Sequence, residues 1–129
     1  MQHEWKIADA VDMYDVARWG NGYFGINPQG HVCVHPTKDP AKSIDLKELV
    51  DRMALRGFDL PILFRFTDII GSRMADLNEA FSKAIADHGY QANYSCVYPI
   101  KVNQQRQVVE EVVNHAARYK FGLEAGSKP

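Results

Sequence analysis

From residue 60 onward the chain alternates short apolar runs with amphipathic stretches, and this alternation limits its possible folds more than any other feature. Leu60 to Phe66 (LPILFRF) is a compact apolar run of strand length. After Thr67-Asp68 comes a long helical pattern, with apolar residues at 70, 74, 77, 81, 84 and 85, closed by Gly89. Tyr94 to Val102 (YSCVYPIKV) reads as a second strand. Val108, Val109, Val112, Val113 and Ala116 then share one face of another helix, and Phe121 to Ala125 (FGLEA) reads as a third strand. Nearly continuous apolar strands alternating with helices predict a parallel sheet, because crossover helices cover both of its faces. Three such strands leave raw edges, which is unusual for a finished domain. The ending at Gly126-Ser127-Lys128-Pro129, directly after an apolar run, therefore reads as a cut.

The stretch before residue 60 has a different texture. Asp9 to Trp19 suits a short helix or a packed arm. GYFGIN and HVCVHP flank Pro28-Gln29-Gly30, and the turn residues between two alternating runs predict a β-hairpin. A polar loop with two prolines (PTKDPAK) follows. SIDLKELVDRMALRG then carries apolar residues at 46, 49, 50 and 53, the period of a helix. Asp45 and Glu48 stand where an N-terminal cap pair belongs, and Gly57 where a C-cap belongs. The expected organisation is an arm and hairpin segment over residues 1–42 and βα units over 43–129.

Composition removes several function classes. The 129 residues allow one ordinary domain, and 46% apolar with 24% charged residues is globular. Lys plus Arg is 15 against 16 for Asp plus Glu, so a nucleic-acid partner held through its phosphates is not expected. No apolar run is long enough to span a membrane, and the start MQHEWKIADAVD has no signal-peptide core; a cytoplasmic protein with no membrane partner is expected. Cys33 and Cys96 are too few for a disulfide scaffold or a four-cysteine zinc site, and each sits in a strand pattern as a small hydrophobe.

Three features invite a chemical reading. GNGYFG at 20–25 matches G-x-G-x-x-G, but a dinucleotide fingerprint needs a helix directly after it, and here a hairpin follows; it reads as a turn and close-packing element. His3, His31, His35, His88 and His115 show no H-E-x-x-H spacing, so no metal site is assigned to them. Lys101 differs. It follows Val97-Tyr98-Pro99-Ile100 at the C-terminal end of an apolar strand, the end that carries ligands in parallel α/β architectures. A lysine amine held against apolar surroundings can be kept neutral for Schiff-base chemistry, whereas a lysine simply snorkelling from a strand end does nothing. Asn103, Gln104, Gln105 and Arg106 add polar side chains just beyond it.

VYPIKVNQQ at 97–105 resembles the lysine strand (Y-x-[VI]-K-x-N) of the alanine racemase-like, fold type III, pyridoxal-phosphate decarboxylases. WGNGYFGIN (19–27), SIDLKELVDRM (43–53), LPILFRFTDII (60–70), LNEAFSKAI (77–85), YPIKVNQQRQVVEEVV (98–113) and GLEAGSKP (122–129) resemble the N-terminal region of its biosynthetic arginine decarboxylase branch. The blocks together are specific where the short lysine motif alone is not. The resemblance implies an α/β fold: the N-terminal part of a pyridoxal-phosphate-binding (β/α)8 TIM-type barrel, incomplete here, preceded by a β-hairpin segment of the β-domain. It implies conversion of L-arginine to agmatine and carbon dioxide in polyamine biosynthesis, with Lys101 carrying pyridoxal phosphate as a Schiff base. Asn103 and Glu124 would lie beside the cofactor; Glu124 matches the acidic position of the family's G-[LF]-[ED]-x-[AG]-S-K element. The family is homo-oligomeric and uses magnesium, for which this chain shows no cation site.

Family members are several-fold longer, so the glycine-rich phosphate loop, the acidic partner of the pyridine nitrogen and a cysteine acid from across a dimer interface are expected beyond residue 129. Two other readings follow. The chain could be a truncated, inactive piece that only associates with a longer homologue. A pyridoxal-phosphate carrier of the same barrel family is disfavoured by the hairpin region at 20–36, which such carriers lack.

Overall fold

The computed structural model describes residues 4–127, so His3 and the last two residues of the GSKP ending lie outside the described residues. Contacts cluster into two compact units, Met1–Arg65 and Phe66–Pro129.

The first unit opens with α1 (Ile7–Met13) and α2 (Val16–Gly20). The single segment expected over residues 9–19 is broken at Asp15, whose φ of 50° is left-handed and ends the first helical run. The hairpin follows as β1 (Phe24–Ile26) and β2 (Val32–Val34), antiparallel with Gly25 opposite Cys33. Asn27 builds its turn: Oδ1 accepts from the backbone N–H of Gln29 at 3.0 Å and of His31 at 2.9 Å. The G-x-G-x-x-G match resolves into local geometry. Gly22 has φ +78°, and a Cβ on Gly25 would lie 3.1 Å from His35 Nε2. Val16, Tyr23, Cys33 and Val34 form the buried centre of this unit.

A short β3 (Ile44–Asp45) pairs with β2 and leads directly into α3 (Leu46–Leu55). Because Ile44 pairs with Val34, residues 43–55 pack with the hairpin, and the boundary placed after residue 42 falls inside the first unit. Asp45 caps α3 by accepting from Glu48 N at 3.0 Å, and Gly57 beyond the helix has φ +83°, as the sequence pattern requires.

The apolar run Leu60 to Phe66 is a correction. It forms no strand, and Leu60 and Leu63 are 68% and 74% exposed. Apolar content sets a preference for burial, but a strand also needs a partner for its N–H and C=O groups, and this run has none among the described residues. The expected three-stranded parallel sheet is two-stranded here.

The second unit runs α4 (Asp68–Asp87), β4 (Cys96–Pro99), α5 (Arg106–Tyr119) and β5 (Phe121–Glu124). β4 and β5 are parallel, in register from Cys96 opposite Phe121 to Pro99 opposite Glu124. With α5 joining them they form a β-α-β unit. α5 turns Val108 and Val112 inward, and with Met74 of α4 these are the buried apolar side chains of this unit among the described residues. Each stabilises the unit by roughly 1.5–3 kcal/mol relative to exposure. Val113, on the expected apolar face, is 48% exposed.

Candidate active site

β4 ends at Pro99, and the chain turns at once into a single 3-10 turn, Ile100–Val102. Lys101 is the middle residue of that turn, two positions past the strand end, and it is exposed. The parallel ladder places Glu124, the last residue of β5, directly opposite Pro99. Lys101 and Glu124 therefore emerge from neighbouring strands at one C-terminal edge, where α/β architectures bind ligands.

The turn is fastened on both sides. Tyr98 of β4 donates its hydroxyl to the Asn103 backbone oxygen at 3.1 Å, bridging over Lys101. Asn103 Oδ1 accepts from Gln105 N at 3.0 Å, and Gln105 is the residue that opens α5. Pro99, with φ −76°, stiffens the entry. Asn103 thus spends its side-chain oxygen on the backbone, and its side-chain nitrogen has no protein partner among the described residues. Tyr98 is the residue that reasoning from the sequence passed over; its position five residues before Asn103 was legible, but not the hydroxyl's reach across the turn.

Glu124 is half-buried. Gly126 has φ +77°, and a Cβ there would approach Glu124 Oε1 to 3.0 Å. The glycine keeps open the space that the carboxylate occupies. The edge thus offers an exposed primary amine on Lys101 and a half-buried carboxylate on Glu124, groups of the kind that could hold an aldehyde-bearing cofactor. Of the residues at this edge, Tyr98 lines the apolar cavity of about 340 Å³ in this unit, together with Ile70, Met74, Val108, Val112 and Phe121, whereas Lys101, Asn103 and Glu124 do not.

Among the described histidines, His31 and His115 each contact a carboxylate within their own unit. His31 Nδ1 lies 2.8 Å from Asp45 Oδ2, which also accepts from Asn27 Nδ2 at 2.7 Å. Partial burial pushes the Asp45 carboxyl up, but the Glu48 N–H, His31 and Asn27 outweigh it and hold the group below its ordinary value of 3.8. Among the described residues no group of three or more His, Cys, Asp or Glu side chains could hold a metal ion, so magnesium gains no support. No described helix is long and apolar enough to cross a membrane.

No protein-family model matches the chain. It is 54% identical over 129 residues to the biosynthetic arginine decarboxylase of Rhodopirellula baltica, which covers 100% of this chain and 19% of the relative. To the enzyme of the same name from Phocaeicola vulgatus it is 48% identical over 126 residues, 98% of this chain and 20% of the relative. The crystal structure of the biosynthetic arginine decarboxylase of Campylobacter jejuni superposes with a TM-score of 0.80 at 34% identity, over 89% of this chain and 19% of that one. The chain spans about a fifth of the length of the curated relatives it matches.

Proposed function

We infer that this chain, a homologue of the biosynthetic arginine decarboxylases along its whole length, is the lysine-bearing N-terminal part of such an enzyme. The reaction is removal of the carboxyl group of L-arginine as carbon dioxide, leaving agmatine, an intermediate for polyamines. The observation that carries this reading is the placement of Lys101 and Glu124 at one C-terminal strand edge within a chain 54% identical to an enzyme of that name.

Pyridoxal phosphate, when bound, supplies an electron sink for the pair released as the carboxylate leaves. The residues of this chain have separate tasks. Lys101 Nζ would hold the cofactor through its amine and, when free of it, would accept or donate a proton at that nitrogen. Glu124 would supply a carboxylate at the same strand edge, which would favour positively charged nitrogen there. Asn103 offers its free side-chain N–H₂ as a donor. The two-stranded edge belongs, on this reading, to a (β/α)8 barrel, and gripping of the guanidinium and phosphate falls to other parts of the enzyme.

Borohydride reduction in the presence of pyridoxal phosphate, followed by peptide mapping, tests the reading. The label is expected on Lys101, and Lys101→Ala is expected to remove it. A label distributed over other lysines with Lys101 unmodified overturns the assignment. Because the chain matches only 19% of the first relative, the alternative of a silent piece that acts only with a longer homologue is separated by a second measurement. Agmatine production by the isolated chain overturns that alternative, and labelling without turnover favours it.

A further inference from the structure

We propose that Tyr98 is a positioning residue for Lys101: its hydroxyl closes the lysine turn and thereby sets where the amine stands. This rests on the reading of Lys101 given above and adds a residue to it. The geometry is direct. Tyr98 and Asn103 are the two ends of the five-residue step that contains Lys101, and the 3.1 Å bond between hydroxyl and carbonyl joins them in a part-buried position. Asn103 then passes the constraint to α5 through its 3.0 Å bond to Gln105 N. Without the hydroxyl, the turn keeps Pro99, the Asn103–Gln105 bond on its far side and a single 3-10 turn, and short 3-10 segments are weak by themselves.

An exposed lysine has four side-chain torsions, so its backbone must be fixed before its amine can be presented reproducibly. A carbonyl accepting from a half-buried phenol is a suitable anchor, because Tyr98 lines the apolar cavity of this unit while its hydroxyl bonds the Asn103 carbonyl. Tyr98 does not touch the reacting atoms in this account. It acts through the backbone of residues 100–103. Asn103 acts in the same way through its side-chain oxygen, and its amide nitrogen is the donor it can offer the cofactor.

The test is Tyr98→Phe, which keeps the ring and removes the hydroxyl. Two measurements on the full chain are made together. Amide hydrogen exchange at residues 100–103 is expected to quicken roughly five-fold, the effect of one lost hydrogen bond on local opening. Trapping with limiting pyridoxal phosphate and borohydride is expected to show a several-fold fall in the Lys101 share of label, with Lys83 and Lys120 unchanged as internal references. A role in stability alone would move the exchange without changing the distribution of label, and that result overturns the proposal. Unchanged exchange overturns it as well. Failure of the unsubstituted chain to label Lys101 is a different outcome: it removes the lysine assignment itself, and the positioning role with it.

Discussion

Gly71 of α4 faces the imidazole of His115 on α5 at a distance that admits no side chain. A Cβ on Gly71 would lie 2.6 Å from both Cε1 and Nε2 of the ring. Gly71 is buried, and His115 is held on its own helix by a 3.1 Å contact between Nε2 and Glu111 Oε1. The closeness of α4 and α5, which brings Met74 toward Val108 and Val112, therefore depends on a residue with no side chain at this crossing.

Gly71→Ala is expected to lower stability by about 1 kcal/mol, measured by urea denaturation. Two effects oppose each other. Alanine gains about 1 kcal/mol of helix propensity over glycine, and the clash costs about 1–3 kcal/mol unless the ring moves. His115 is part-exposed and can swing away only by giving up Glu111. In a His115→Ala background the same substitution should become neutral or stabilising. A destabilisation of equal size in both backgrounds would place the cost somewhere other than the ring.

Much of this was legible in the sequence where a local rule applied. Asp45, Glu48 and Gly57 bounded α3 because capping is short-range chemistry, and Pro28 to Gly30 marked the hairpin for the same reason, although the part of Asn27 in its turn was not read. Leu60 to Phe66 was misread because apolar content does not reveal whether a neighbouring strand is present to pair. The close approach of Gly71 and His115 was invisible, since residues so far apart in sequence meet only through packing. At the candidate site, the place of Lys101 just past a strand end was readable from the apolar run before it, while its role rests on the resemblance. The resemblance supplied Glu124 and Asn103. The part played by Asn103 in fastening α5 depended on a hydrogen bond that no spacing announces.

Asp45 joins the hairpin turn to α3, and its contribution should depend on pH with a definite sign. Its carboxyl is held below 3.8 in the folded chain by the Glu48 N–H, His31 and Asn27, despite partial burial. A depressed folded value means that the stabilisation is present above about 3.8 and is lost as pH falls through the folded value. Asp45→Ala should lower the denaturation midpoint more than Asp45→Asn, which keeps an oxygen for the cap. The gap between unsubstituted chain and Asp45→Asn should close on acidification below that point. A gap that stayed constant from neutral pH into acid would show that the charge contributes nothing.

Phe81 and Tyr94 stack with ring centroids 3.9 Å apart and planes within 5°, beside an open cavity of about 400 Å³ near Ile85 and His88. A double-mutant cycle of Phe81→Ala and Tyr94→Ala should give a coupling toward the lower end of about 0.5–1.5 kcal/mol, because Phe81 is 46% exposed. Additivity within error would mean that the stack contributes no more than the burial of its separate rings.

Glu124 and Gly126 give a prediction at the candidate site. Gly126 sits at φ +77°, and a Cβ would press to 3.0 Å on Glu124 Oε1, so Gly126→Ala must move the carboxylate or distort the chain after β5. On the reading given for Lys101, that carboxylate favours positive charge on nitrogen at the strand edge. Glu124→Gln removes the charge but keeps the shape. It should reduce trapping of pyridoxal phosphate on Lys101 by roughly ten-fold, the scale of one charge-assisted hydrogen bond. Gly126→Ala should reduce it less, since the carboxylate is displaced and not removed. Glu124→Asp should fall between the unsubstituted chain and Glu124→Gln. The order is what the measurement checks: if Glu124→Gln traps as much cofactor on Lys101 as the unsubstituted chain, Glu124 has no part in holding it, and the match at Pro99 is only a strand register.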